Sequence, residues 1–140
     1  MLKVIADDIM SEEVVTIAEN ATIAQAAHIL LRFRINGLLI VKRNDRNKVK
    51  GIITTTDLLN LLDGAISSRR QRAKEIARIS NLPVRKFSSK KLIGIGRDTK
   101  IEKIIGIMHK KNKHTLPVFE NGVLVGVVGK HDVLNAAYGS

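Results

Sequence analysis

The feature that most constrains this chain of 140 residues is that one unit occurs in it twice. In the first half VVTIAENATIAQAAHILLRFRINGLLIV is followed by KVKGIITTTDLLNLL, and in the second LIGIGRDTKIEKIIGIMHKKNKHTLPVF is followed by VLVGVVGKHDVLNAA. The copies align at an offset of 78 up to Val41 and Phe119, and at 75 from Gly51 and Gly126 onward. The three-residue difference falls in the loop KRNDRNK, which is shortened to ENG. Identical pairs include Ile17 with Ile95, Ile23 with Ile101, Leu38 with Leu116, Gly51 with Gly126, Asp57 with Asp132, and Asn60 with Asn135. A repeat at such a period is one supersecondary unit, too small to bury its apolar face alone.

Each copy reads as strand, helix, strand, strand, helix. A short apolar strand is expected at Val14–Ile17 and at Leu92–Ile95. Helical spacing follows in Ile23, Ala26, Ala27, Leu30 and Leu31, and in Ile101, Ile104, Ile105 and Met108. Both helices open on a capping-box pattern, Thr22 with Gln25 and Thr99 with Glu102. A second strand covers Leu38–Val41 and Leu116–Phe119. The turn is at Arg43–Asn47 in the first copy and at Glu120–Gly122 in the second, where Asn121-Gly122 is a strong hairpin signal. A third strand covers Val49–Ile53 and Leu124–Val128, and the last helix is expected to begin at Asp57 and Asp132, both good N-cap residues. The strands are apolar on both faces, as a sheet covered on both sides requires.

These elements predict an α+β fold of two β-α-β-β-α repeats packed sheet to sheet with pseudo-two-fold symmetry, which would leave two clefts between the halves. The expected domains are 1–63 for the first repeat, 64–86 for a basic connecting helix and linker, and 87–140 for the second repeat. Residues 66–79 are read as the connecting helix, with Ile66, Ala73, Ile76, Ala77 and Ile79 as its stripe and Arg69, Arg70, Arg72, Lys74 and Arg78 around it. Leu82-Pro83 ends that helix, since a residue before proline is biased away from helical geometry.

The formal charge is +11, which favours anionic partners and says little about fold. The absence of cysteine excludes disulfides and thiolate metal sites and favours a reducing, cytoplasmic setting. The opening MLKVIADDIM shows neither the apolar run nor the cleavage site of a signal peptide. No segment nears the ~20 apolar residues of a membrane-spanning helix. His28, His109, His114 and His131 lack metal-ligand spacing. No Ser-His-Asp order, Walker loop or dinucleotide fingerprint occurs, so no enzyme and no metal are expected.

Within the repeat, Gly51-Ile52-Ile53-Thr54-Thr55-Thr56-Asp57 and Gly126-Val127-Val128-Gly129-Lys130-His131-Asp132 stand at matching places. With Leu116-Pro117-Val118, they resemble the CBS domain, named after cystathionine β-synthase, whose pattern is glycine, two apolar residues, Thr or Ser, two variable residues, then Asp. The duplicated order resembles the usual CBS pair over nearly the whole chain. Two departures stand out: Gly129 replaces the hydroxyl, and Leu39 replaces the proline.

A carboxylate at a strand-to-helix junction can accept two hydrogen bonds from a ribose diol, while the helix N-terminus beside it suits a phosphate. The resemblance implies that Asp57 takes the ribose and that Thr54 helps with the phosphate; a cap alone is the competing reading of Asp57. It also implies that each cleft is completed by the other repeat. The Asp57 cleft would then add Ile52, Ser88, Ile93, His114 and Thr115. The Asp132 cleft would add Val127, Met10, Val15, Asn36 and Gly37. His114 stands where a phosphate-contacting basic side chain is expected, or is a solvated loop histidine. Lys130 and His131 replace the missing hydroxyl with charge, or are exposed loop residues. The Thr54 hydroxyl predicts tighter binding at Asp57.

The expected function is a regulatory sensor of an adenine-type nucleotide, with AMP, ADP, ATP, S-adenosylmethionine and NAD-type molecules all fitting and no cofactor required. A homodimer through the helices is expected, with Ile107 and Leu58 as examples of apolar residues beyond one stripe, acting on a regulated partner protein. Two other readings compete. One is a nucleic-acid-binding protein using the basic helix, against which the 3% aromatic content speaks. The other is a structural dimerisation module with empty clefts.

Overall fold

Each half folds around an antiparallel hairpin that takes up a third, parallel strand. The computed structural model describes residues 3–67, 70–87 and 92–139. In chain order the elements are α1 (Ala6–Ile9), β1 (Thr16–Ala18), α2 (Ile23–Phe33), β2 (Gly37–Lys42), β3 (Asp45–Thr54), α3 (Thr55–Ile66), α4 (Arg72–Ser80) and a 3-10 turn (Val84–Phe87). They continue with β4 (Ile95–Gly96), α5 (Ile101–Lys110), β5 (Thr115–Glu120), β6 (Val123–Gly129) and α6 (Lys130–Tyr138). The expected α+β class holds: there are two three-stranded sheets, ordered β1-β2-β3 and β4-β5-β6.

The compact units are not the sequence repeats. One unit consists of Thr16–Lys90, and the other joins Met1–Val15 to Lys91–Ser140.

In the unit of Thr16–Lys90, β1 runs parallel to β2 with Ile17 opposite Ile40, and β3 returns antiparallel with Gly37 opposite Thr54. Leu38, Leu39, Ile40 and Val41 are all buried, which is the burial on both faces that their unbroken apolar run predicted. The expected capping box forms at α2: Gln25 N donates to Thr22 Oγ1 at 3.2 Å, and Thr22 N donates to Gln25 Oε1 at 2.9 Å. Ile23, Ala26 and Leu30 point inward, whereas Leu31 is 70% exposed. The turn is tighter than expected. It uses Arg43 and Asn44, with Asn44 at φ 68°, and register shifts at Val41 and Lys42 absorb the extra residues of this copy.

In the other unit, β4 pairs with β5 and β5 with β6, with Thr115 opposite Gly129. Asn121 and Gly122 take φ 50° and 79°, the left-handed pair that the Asn-Gly signal demands. The core gathers Ala6, Ile95, Ile101, Ile104, Met108, Leu116, Val118, Val128 and Val133.

Several boundaries differ from expectation for local reasons. The first strands are shorter and later, at Thr16–Ala18 and Ile95–Gly96. The capping box expected at Thr99 does not form. Thr99 Oγ1 accepts instead from Gly96 N at 2.9 Å, and α5 opens after Lys100 without a side-chain cap. The connecting helix starts at Arg72 and not at residue 66, because Ile66 still belongs to α3; residues 68 and 69 lie outside the described residues. Asp57 and Asp132 are not N-caps. Thr54 and Gly129 hold that position, and each Asp is the third helical residue.

Candidate functional site

The two aspartates are placed by the end of a strand. As β3 runs out at Thr54, the chain turns directly into α3, so Asp57 comes back over the strand end. Thr54 N donates to Asp57 Oδ2 at 2.8 Å, and Asp57 N donates to Thr54 Oγ1 at 3.1 Å. This is a reciprocal capping box, and both residues are half-buried. Thr55 N, the first helical amide, donates to Asn36 O at 3.0 Å. That bond ties the corner to the residue just ahead of β2.

The second corner repeats the backbone and changes the side chains. Gly129 N donates to Asp132 Oδ2 at 2.7 Å, and Lys130 N donates to His114 O at 3.0 Å. Gly129 has no hydroxyl to give, so the third amide of α6 has no side-chain cap. Lys130, His131 and His114 are exposed around it. The first corner is thus rich in hydroxyls (Thr54, Thr55, Thr56), and the second carries one lysine and two histidines.

Capping does not exhaust either carboxylate. An ionised carboxylate offers about four lone-pair sites, and the cap uses one. No second partner of Asp57 or Asp132 occurs among the described residues. Capping and ligand binding, which compete as readings of the sequence, are therefore compatible in the fold.

The remaining expected site residues divide between the units. Asn36, Gly37 and Ile52 lie in the same unit as Thr54 and Asp57. Gly37 faces Thr54 across the hairpin, and Ile52, half-buried, faces Leu39. Met10, Val15, Ile93, His114, Thr115, Val127, Lys130 and His131 lie in the unit of Asp132. Thr115 faces Gly129, and Val127 exchanges two backbone hydrogen bonds with Ser11, at 2.9 and 3.0 Å. Ile93 precedes β4 and is not part of it. Ser88 lies outside the described residues.

Two features go beyond the expected residues. One is how the leading segment ahead of β1, from which Met10 and Val15 were expected, pairs along β6 through Ser11 and Val127. A β-carbon on Gly126 would meet Met10 Sδ at 2.5 Å and Ser11 O at 3.1 Å, so a larger residue would displace the Met10 side chain and crowd the Ser11 carbonyl. The other is Arg97, which holds that segment. Its Nη1 donates to Asp7 Oδ1 at 2.7 Å, and its Nε donates to Glu120 Oε2. The Glu120 bond and then the Asp7 bond raise the guanidinium above the ordinary arginine value. The sequence signal for Arg97 was weak, because Glu19 stands at its repeat position.

Among the described residues, no group of three His, Cys, Asp or Glu side chains is placed to hold a metal ion, and no helix is long and apolar enough to cross a membrane.

Two sheets that each end in a capped aspartate corner define a duplicated α+β pair. The chain belongs to the CBS domain family, which matches residues 5–64 and 74–139. It is 31% identical over 135 residues to a homoserine O-acetyltransferase of Methanococcus vannielii, covering 94% of this chain and 24% of that protein. The chain thus spans about a quarter of that curated relative, and 13% of an A-adding tRNA nucleotidyltransferase of Geobacter sulfurreducens. A CBS-domain-containing protein of Agrobacterium tumefaciens superposes with a TM-score of 0.80 at 23% identity, over 97% of this chain and 95% of that one. The CBS domain pair of protein MJ0100, in complex with 5'-methylthioadenosine and S-adenosyl-L-methionine, superposes with a TM-score of 0.73 at 26% identity, over 97% of each chain.

Proposed function

We propose that this chain is a regulatory, non-catalytic module of the cytoplasm that binds adenine-type nucleotides, with Asp57 and Asp132 as ribose acceptors. The observation that carries the reading is the spare acceptor capacity of a half-buried, backbone-anchored carboxylate at both corners. A vicinal diol can fill it with charge-assisted bonds. The resemblance to a pair in complex with two adenosyl compounds supports an adenosine moiety. Ile52 and Val127 would flank the base. Asn36, Gly37, Ser88, Ile93, His114, Thr115, Met10 and Val15 would complete the sites.

The two corners suit different ligands. At Asp57 the Thr54 hydroxyl closes the third helical amide and keeps its O–H as the one group it can offer a phosphate, so we favour an adenosyl group without phosphate at this corner. At Asp132 the uncapped amide, with Lys130 and His131, suits a phosphorylated nucleotide. For phosphate-bearing ligands this proposal runs opposite to the ranking expected from the Thr54 hydroxyl.

A thermal-shift panel of adenosine, AMP, ADP, ATP, 5'-methylthioadenosine, S-adenosylmethionine and NAD tests the reading. A true ligand at 100 times its Kd stabilises the fold by about 2.7 kcal/mol; no shift with any of them would withdraw it.

The module also offers a face for self-association. An apolar groove of about 360 Å³ between α2, α3 and α4 is lined by Ile23, Ala27, Leu31, Leu58, Leu59 and Leu62. We expect a homodimer that covers it, and a monomer in sedimentation at micromolar concentration would count against that.

One observation favours a second reading. Thr16–Lys90 carries 15 Lys and Arg against 5 Asp and Glu, while the other unit carries 9 against 8. Nearly all the net charge of +11 therefore sits in one unit. That asymmetry suits an acidic regulated partner or nucleic acid, recognised by α4 through Arg72, Lys74 and Arg78.

A further inference from the structure

The leading segments of the two repeats are docked on their acceptor edges by the same set of bonds. In one unit Ile101 N donates to Val4 O at 3.0 Å, Ala6 N to Thr99 O at 2.8 Å, and Asp7 N to Arg97 O at 2.8 Å. In the other, Ile23 N donates to Leu82 O at 2.9 Å, Val84 N to Ala21 O at 2.8 Å, and Arg85 N to Glu19 O at 3.0 Å. Every donor and acceptor in one set matches its counterpart at the repeat offset of 78. The bridge of Ile5 with Lys100 likewise matches that of Pro83 with Thr22. Backbone hydrogen bonds alone therefore cannot tell one segment from the other.

Side chains can, in two ways. The first is volume: Ala6 and Val84 occupy the same place and are both 0% exposed. The wrong segment would force extra methyl groups into one edge and leave a void in the other. The second is sign. Asp7, Arg97 and Glu120 form an ion-paired trio, negative-positive-negative. Arg85, Glu19 and Lys42 stand at the matching positions and are positive-negative-positive. Among these three, the backbone bond from Arg85 to Glu19 is the contact the structure shows. In a mismatched docking Asp7 would meet Glu19, and Arg85 would meet Arg97. Chain connectivity also restrains the choice within one molecule. Between copies of the chain, only the side chains discriminate.

We propose that the two edges are keyed by buried volume at positions 6 and 84 and by charge sign at positions 7 and 85. Each edge is then an interaction surface whose fitting partner is its own matching segment, from the same chain or from a second copy. The key excludes heterologous docking, in which the segment of one copy takes the wrong edge of another and opens a chain of contacts that does not close. The proposal does not depend on nucleotide binding.

The test uses the full chain. It has no native cysteine, so Ser11→Cys with Val127→Cys reports docking of the first segment: the two residues are a directly hydrogen-bonded pair, within disulfide reach. Adding Asp7→Arg should slow intramolecular cross-linking roughly fivefold at low salt, the scale of exposed charge pairs. The triple change Asp7→Arg/Arg97→Glu/Glu120→Lys copies the signs of the other edge and should restore the rate to within about twofold of the parent. Molar salt should erase most of the Asp7→Arg deficit, because the Debye length is then about 3 Å. Ala6→Val should slow cross-linking equally at both salt concentrations. Arg85→Glu, assessed by its salt-dependent loss of thermal stability, repeats the sign test on the other edge if Asp7→Arg fails to fold. Unchanged cross-linking in Asp7→Arg, a deficit indifferent to salt, or a triple variant no faster than the single would overturn the sign key. An Ala6→Val variant that cross-links like the parent would overturn the volume key.

Discussion

At the Thr54–Asp57 corner a hydroxyl closes the third amide of α3, whereas at Gly129–Asp132 the same amide of α6 has no side-chain cap. The two corners otherwise share their backbone down to the bond from the first helical amide to the residue before the hairpin. A duplicated scaffold can thus keep its corner aspartate while changing the groups beside it. The cost of the change is a weaker cap, since an N-cap hydroxyl is worth about 1 kcal/mol. An amide without a side-chain cap, with Lys130, His131 and His114 exposed beside it, stands in its place. Gly129 removes a donor-acceptor hydroxyl and leaves the third amide of α6 without a side-chain cap.

The largest expected effect comes from removing either carboxylate. Asp57→Ala and Asp132→Ala should each weaken the ligand of their own corner by about 10- to 100-fold, the scale of hydrogen bonds to a charged group. Calorimetry with 5'-methylthioadenosine and with AMP should show the Asp57 change falling mainly on the first and the Asp132 change on the second. Equal losses for both ligands in both variants would break the distinction between corners.

A smaller effect sharpens it. Gly129→Thr would give α6 the cap that α3 already has. A β-carbon at Gly129 finds its nearest neighbours at 3.7 and 3.9 Å, and the residue sits at φ −100°, so threonine fits without strain. The variant should gain about 1 kcal/mol and melt roughly 4 °C higher in a calorimetric scan. It should also lose several-fold in AMP affinity while keeping its affinity for 5'-methylthioadenosine. The preference of the parent for AMP over adenosine should shrink as salt rises, because Lys130 beside Asp132 is exposed and its charge is screened over about 8 Å at physiological ionic strength. A variant that is more stable and binds AMP as well as the parent would remove the open amide from the account.

The hairpins, the α2 cap and the duplicated order could be read from the sequence, because each is set by neighbours in the chain. Thr22 and Gln25 lie three residues apart and cap one another. Asn121-Gly122 admits the left-handed turn, and the apolar run Leu38–Val41 is a covered strand. The Thr99–Glu102 pair had the same local pattern and failed. There Gly96 N, only three residues back, takes the threonine hydroxyl first, a local competition that the capping pattern by itself does not rank. Leu31 kept helical spacing and still faces outward, since spacing assigns a face only to within about one residue.

What the sequence by itself determined is the repeat, the strand-helix order and the two aspartates at strand ends, because all follow from local periodicity and from duplication. Only the tertiary structure decided that Met1–Val15 belongs with the second repeat, that Gly126 sits close against Met10 and Ser11, and that Arg97 clamps Asp7 across ninety residues of chain. The physical reason is that these are contacts between segments remote in sequence. Their partners are chosen by packing and charge at the docked edge, and neither leaves a periodic trace along the chain.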